Sequence, residues 1–421
     1  MDARYVLVGN SAASLAAVDW IRKYDREGRI LLVNREPGPA YSRVALPYYV
    51  AGEMTLEDLW IRTPRDYEEK GVELLDAAPV VAVDPEARKI SLADGRSVGY
   101  EKLLLATGSE CVAPPVSGLS EVPVHYLWTL EDARGLKAAA EKARTGLVIG
   151  GGFIGMLAAE ALRKLRIRLT IVEMAPQLLP QLLDEEGGKR FGEAVRDEGV
   201  TLELGTTVRT LARKPSGEIE AELGNGRKVV VDLVVVAAGV RPNLSCVTPE
   251  VCEIGRGILV DEFLRTSRPG IFAAGDVAEV VDFLGGGQRV LHAIWPSAVE
   301  QGRIAGANMT GRQIAYDGSL GMNVVELFHV TLAQIGRFRE GPGDDVKLLG
   351  GGRGDAYRKI VVDRDGVVVG AMYLGDAHGV AEMGVVHSWI RRRARWKDFE
   401  RHHQPRFTYA LTVRDVPEVR T

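Results

Sequence analysis

Cysteine is scarce in this chain. Only Cys111, Cys246 and Cys252 carry thiols, and no two of them stand in a CxxC or other cluster-binding spacing. Such thiols read as free side chains packed in or near a core, so the chain should hold neither an iron–sulfur cluster nor zinc. The seven histidines show no metal-ligand spacing either. Excess charge is missing as well. A net charge of −4 sets up no field for nucleic acid. No stretch approaches the roughly 20 apolar residues of a membrane helix, so no membrane span is expected. The first strand-like run, Tyr5-Val6-Leu7-Val8, begins too near Met1 for an export signal, and the expected location is cytoplasmic.

What remains is a globular composition, 46% hydrophobic and 26% charged, in a chain long enough for two or three domains. Its 48 glycines gather in short turns with apolar flanks, and two of those turns head a repeat. Val6-Leu7-Val8 meets Gly9-Asn10-Ser11-Ala12-Ala13-Ser14, then a helical segment to about Tyr24 and the strand Ile30-Leu31-Leu32-Val33. Leu147-Val148-Ile149 meets Gly150-Gly151-Gly152-Phe153-Ile154-Gly155, then a helical segment to about Leu165 and the strand Leu169-Thr170-Ile171-Val172. Each βαβ unit is echoed later, by Leu103 to Gly108 in one half and by Val234 to Gly239 in the other. Two domains of one plan are expected.

The second glycine loop fits a dinucleotide. Gly150 makes the tight turn, Gly152 lets the backbone approach a pyrophosphate, and Gly155 lets helix and strand pack closely. The pyrophosphate sits on the helix N-terminus, where free N–H groups and the helix dipole attract it. Glu173, directly after the second strand, accepts from the adenosine ribose. A carboxylate there repels a 2′-phosphate, and Met174 through Gly188 contain no Lys or Arg, which favours NAD(H) over NADP(H). The first loop is looser. It has Ser11 and Ser14 where glycines are expected, and its acid is displaced, Asn34 following the strand and Glu36 coming two residues later.

Four further segments complete an ordered set: Arg35-Glu36-Pro37 with Tyr41-Ser42-Arg43, Leu104 to Gly108, Ile271-Phe272-Ala273-Ala274-Gly275-Asp276, and Trp295-Pro296-Ser297-Ala298 leading to Gln301-Gly302. Over essentially its whole length the chain resembles the FAD/NAD(P)-dependent pyridine nucleotide-disulfide oxidoreductase family. It is nearest the branch of rubredoxin and ferredoxin reductases, NADH oxidases and NADH-dependent nitrite reductases. The resemblance implies an α/β fold with two Rossmann-like domains and a small α+β C-terminal interface domain. The FAD-binding domain would span 1–115 and 246–320, interrupted by an NAD-binding domain at 116–245, with 321–421 as interface domain and tail.

The resemblance also implies roles. Gly9, Asn10, Ser11, Ala12, Ala13 and Ser14 would bind the FAD pyrophosphate, Glu36 its adenosine ribose and Asp276 its ribityl chain, with Arg43 near the pyrophosphate. Ser42, Pro47, Val80, Ala106, Thr107, Gly108, Gly275 and Ala298 would complete the FAD contacts. Gly150, Gly151, Gly152, Phe153, Ile154, Gly155, Glu173, Ala238 and Gly239 would bind NAD(H). Trp295 beside the isoalloxazine and Phe153 on its nicotinamide side would be the residues at the reacting rings, with no acid or base assigned. His292 could approach the flavin or serve only as a structural histidine.

Two departures narrow the chemistry. Thiol-using members resemble Cys-Gly-Leu-Pro-Tyr-Tyr where this chain reads Val44-Ala45-Leu46-Pro47-Tyr48-Tyr49. A valine forms no thiolate or sulfenic acid, which speaks against disulfide, peroxide or cysteine-based oxygen reduction. The lysine and glutamate paired near the flavin in ferredoxin-reductase-like members are replaced by Tyr48 and Leu157. Electrons must therefore leave for another molecule. An iron–sulfur electron-transfer protein or subunit is the expected partner, and the chain is similar to the FAD/NAD subunit of 2-oxoacid oxidoreductase complexes such as phenylglyoxylate dehydrogenase, which makes it a hetero-oligomer. A stand-alone NADH:rubredoxin or ferredoxin reductase is the alternative, and a flavin-bound redox sensor or scaffold is the non-enzymatic one.

From about Gly321 the pattern changes to strands at Val324 to Leu327, Ile360 to Val362 and Val367 to Ala371, then a helix from about Val380 to Trp389. The run Arg391 to Lys397 reads either as a solvated helix end or as a docking patch for an acidic partner. His402-His403 reads as solvent-exposed.

Overall fold

The computed structural model describes residues 2–349 and 356–400, so His402 and His403 lie outside the described residues. The apolar run Asp2–Val8 forms the central strand of a seven-stranded sheet. It pairs in parallel with Ile30–Val33 on one side and Ser97–Leu105 on the other, in registers Val8 to Val33 and Val8 to Leu105. Strands buried on both sides read as continuous hydrophobic runs, and Ile30–Val33 is buried throughout. Val72–Leu75 extends the sheet at one edge, Lys89–Leu92 and Val80–Asp84 at the other, and Ile271–Ala273 returns to pair with Leu103 to Leu105.

The repeat is present in three dimensions. A second, wholly parallel sheet carries Thr201–Leu204, Arg168–Glu173, Thr145–Ile149 and Leu233–Val236 in that order. Beside it lies an antiparallel sheet of Val208–Arg213, Ile219–Leu223 and Lys228–Val231. Where the chain crosses between the halves, Ser109–Cys111 pairs antiparallel with Val240–Pro242.

The C-terminal part is an antiparallel sheet in the order Met322–Leu327, Val330–Gly336, Val368–Gly375, Tyr357–Val362, Asp345–Leu348. The helix Val380–Arg391 packs its buried Met383, Val386, Trp389 and Ile390 on this sheet. Sequence reading locates three of these strands and the helix. The basic run suits a solvated helix end: Arg391 pairs with Glu300 at 3.2 Å, while Arg392, Arg393, Arg395 and Lys397 are exposed. No helix among the described residues is long and apolar enough to cross a membrane.

Candidate active site

The two glycine loops have matching backbones. Gly9 and Gly150 both adopt φ +111°, in the region closed to L side chains. A Cβ on Gly9 would lie 2.1 Å from the Ala106 carbonyl oxygen, and one on Gly150 2.3 Å from that of Ala237. Each glycine N–H donates at 2.8 Å to a carbonyl oxygen at the end of the neighbouring strand, that of Val33 or Val172. A helix starts at once in each case, Ala12–Tyr24 after Ser11 and Phe153–Lys164 after Gly152, and neither N-cap residue caps it through a side chain. The first-turn N–H groups of both helices therefore stand ready for an anion. Gly152 has open space where a Cβ would be, and a Cβ on Gly155 would strike the Gly150 oxygen at 2.0 Å. Those are the two roles the spacing predicts: close approach by a ligand, and close packing of helix on strand.

Both loops open into one cleft of about 1480 Å³. Its walls include every predicted site residue except Ser42, Gly151 and Gly155. Ser42 is off the wall, and its backbone N–H donates to the Leu59 oxygen at 2.8 Å. Gly151 acts through its N–H, which donates to Glu173 Oε2 at 2.6 Å. Glu173 Oε1 accepts from the Ala175 N–H at 2.7 Å, so the acid is fixed at its strand end with lone pairs to spare.

On the other side of the cleft, Glu36 accepts from Arg43 and, at 2.6 Å, from the Tyr41 hydroxyl. Arg43 also donates to the Trp128 oxygen at 2.6 Å. Burial opposes the guanidinium charge, yet Tyr41, Glu36 and Asp276 together hold the Arg43 pKa above its ordinary value. Asp276 moves up instead. Burial raises its carboxyl above the usual range, only partly countered by the Ser109 hydroxyl donating at 2.6 Å and by Arg43.

Phe153 and Trp295 occupy equivalent places, each the first residue of its helix and each half-buried on the cleft wall. His292 also faces the cleft. Its Nδ1 lies 2.9 Å from the Ser319 hydroxyl, and burial lowers its pKa, leaving a neutral ring. Val44 lines the cleft with half its surface exposed, and Leu157 lines it too, while Tyr48 lies outside.

Asn10 and Ser14 on the wall are among the residues expected there, while Thr206 and Cys246 escape the sequence reading. Asn10 Nδ2, Ser14 Oγ and Thr206 Oγ1 are buried without a protein partner on this cleft. Asn10 is held by its other end, accepting from the Tyr67 hydroxyl at 2.9 Å. Orphaned donors beside bare helix N-termini fit a ligand rich in phosphate and hydroxyl oxygens, and so fit two dinucleotides. Cys246 is on the wall as well, but burial pushes its thiol up to about 11, as it does for Cys111 and Cys252. All three are free. No metal-holding group of His, Cys, Asp and Glu occurs among the described residues.

The sequence pattern of the pyridine nucleotide-disulphide oxidoreductases matches residues 3–302. Over 395 residues the chain is 34% identical to subunit epsilon of the NADH-dependent phenylglyoxylate dehydrogenase of Aromatoleum evansii, covering 93% of this chain and 92% of that one. It is also 34% identical to the NADH oxidase of Methanocaldococcus jannaschii, over 73% of this chain and 70% of that one. Rubredoxin and ferredoxin reductases are further relatives. Among solved structures, the putidaredoxin reductase in its covalent complex with putidaredoxin superposes with a TM-score of 0.84 at 25% identity, over 93% of both chains. This chain belongs to the pyridine nucleotide-disulphide oxidoreductase family and is an oxidoreductase that uses FAD and NAD(H).

Proposed function

We propose that the chain is the NAD(H)-linked electron-transfer subunit of a multi-subunit oxidoreductase of the 2-oxoacid, phenylglyoxylate dehydrogenase type. The observation that carries this reading is near-full-length similarity to such a subunit in a chain whose cleft has Val44 in place of a redox thiol. In this reading, residues 1–115 with 246–320 bind FAD, 116–245 bind NAD(H), and 321–421 form the interface domain. Bound FAD exchanges a hydride with the nicotinamide and can release its two electrons singly, which links NAD(H) to one-electron carriers.

The chain's part is to bind and align. The first-turn N–H groups after Ser11 and Gly152 take the two pyrophosphates, Glu36 and Glu173 the two adenosine riboses, and Asp276 the ribityl hydroxyls. Arg43 orients Glu36 while adding positive potential to the FAD wall. Phe153 and Trp295 pack the rings and keep water from them, so no proton has to move at a side chain while the hydride is exchanged.

Purification from source cells at low salt, with particle mass, chain composition, flavin and iron recorded, tests the assignment. A multi-chain particle rich in iron is expected; a bare assembly of this chain carrying only FAD overturns it. The whole-length likeness to a reductase caught with putidaredoxin favours a second reading, a stand-alone NADH:rubredoxin or ferredoxin reductase, and the bare particle is its outcome.

A further inference from the structure

The segment Gln177–Asp184, which follows Glu173, contributes Leu179, Pro180, Gln181 and Leu182 to the cleft wall beside the second glycine loop. It has little regular structure of its own. Leu179 sits at φ +49°, a conformation unfavourable for leucine that persists only where surroundings hold it. What holds it on one side is the glycine loop, through the Leu179 N–H to the Gly151 oxygen at 2.9 Å. Within the segment, Gln177 Nε2 donates to the Leu183 and Asp184 oxygens, both at 3.1 Å.

The other side is held by the C-terminal part, through its sheet and the connection that follows Val330–Gly336. Arg339 Nη2 donates to the Pro180 oxygen at 2.5 Å. Lys359, only 4% exposed, places its ammonium 2.8 Å from Asp184 Oδ2 and 2.7 Å from Glu340 Oε2. The Tyr357 hydroxyl donates to the same Asp184 oxygen at 2.9 Å, while Asp184 Oδ1 caps the next helix by accepting from the Gly187 N–H. A buried ammonium is costly unless its partners are fixed, so Lys359 ties the end of the cleft segment to the sheet.

We infer that Arg339 and Lys359 are positioning residues for NAD(H): from the C-terminal part, one in a strand connection and one in the sheet, they hold Gln177–Asp184 in the shape that, with the second glycine loop, receives the nucleotide. The inference rests on assigning that loop to NAD(H). It makes the C-terminal sheet part of the nucleotide site, though neither side chain lies on the cleft wall.

The test is Arg339→Gln and Lys359→Met in the FAD-loaded full chain. The readouts are KM against kcat for NADH, equilibrium binding of NAD+ by calorimetry, and FAD per chain. Expected is a rise of about tenfold in KM and in the NAD+ dissociation constant, with kcat and FAD content unchanged. Arg339 is exposed, so its variant decides the matter even if Lys359→Met does not fold. Parental KM and NAD+ affinity in Arg339→Gln overturn the inference, as does parallel loss of FAD, which marks a merely structural role. A parent chain that binds no NAD+ or NADH overturns the assignment of the loop itself, whereas a binding parent with unchanged variants overturns only the positioning.

Discussion

Val44 and Glu173 carry the most information at the scale of single residues, because the chemistry at each position depends on one functional group. Without sulfur at Val44, the remaining thiols are Cys111, Cys246 and Cys252, each pushed up to about 11 by burial and thus protonated at neutral pH. N-ethylmaleimide at pH 7 should therefore leave NADH-driven flavin reduction unchanged; rapid loss of activity would place a reactive thiol in the mechanism. Glu173→Ala should raise KM for NADH about tenfold at constant FAD content, the scale of one charge-assisted hydrogen bond. Burial lowers the His292 pKa in the folded chain. As pH falls through the ordinary histidine value, the unfolded chain takes up a proton that the folded chain still refuses. His292 thus subtracts stability on the acid side, and His292→Gln should flatten the loss seen by denaturant titration between about pH 7 and 5. The place of Glu173, at a strand end on the cleft wall, was legible because the acid directly follows an apolar strand run. Thr206 and Cys246 were silent, since nothing in a sequence marks which small side chain finishes on the wall of a cleft.

At the scale of elements, the first nucleotide helix is clamped by the helix Trp295–Met309 through glycines a turn apart. A Cβ on Gly302 would meet the Ala13 oxygen at 2.1 Å, and one on Gly306 the Ala17 oxygen at 2.4 Å. Both targets are backbone, so neither can swing aside. Gly302→Ala should destabilise the chain by about 1–3 kcal/mol in urea denaturation and weaken FAD retention, because Ala13 belongs to the loop proposed to bind FAD. The βαβ units were legible because their strands are unbroken apolar runs ending in glycine. Val330–Gly336 was not, since buried Thr331 and Gln334 interrupt its apolar pattern. Asp345–Leu348 is a short edge strand alternating polar and apolar residues, a pattern that a loop shares.

At the scale of the whole molecule, repeat and order of motifs foretold two similar halves, but not how the third part meets them. Lys359 and Asp184 are 175 positions apart, and no local pattern reports a salt bridge over that distance. Gly321, Asn323, Gln334, Gly336 and Phe338 reach the cleft from the C-terminal part, which motif reading had treated as interface alone. The resulting architecture has one cleft entered by both glycine loops and no reactive thiol or metal group among the described residues to store further electrons. Its electron capacity is therefore that of the flavin. Anaerobic titration of the FAD-loaded chain with NADH measures this directly. The account predicts bleaching of the flavin that is complete at about one NADH per FAD, with no further uptake. FAD that stays oxidised with NADH in excess, or a second equivalent consumed per flavin, would contradict it.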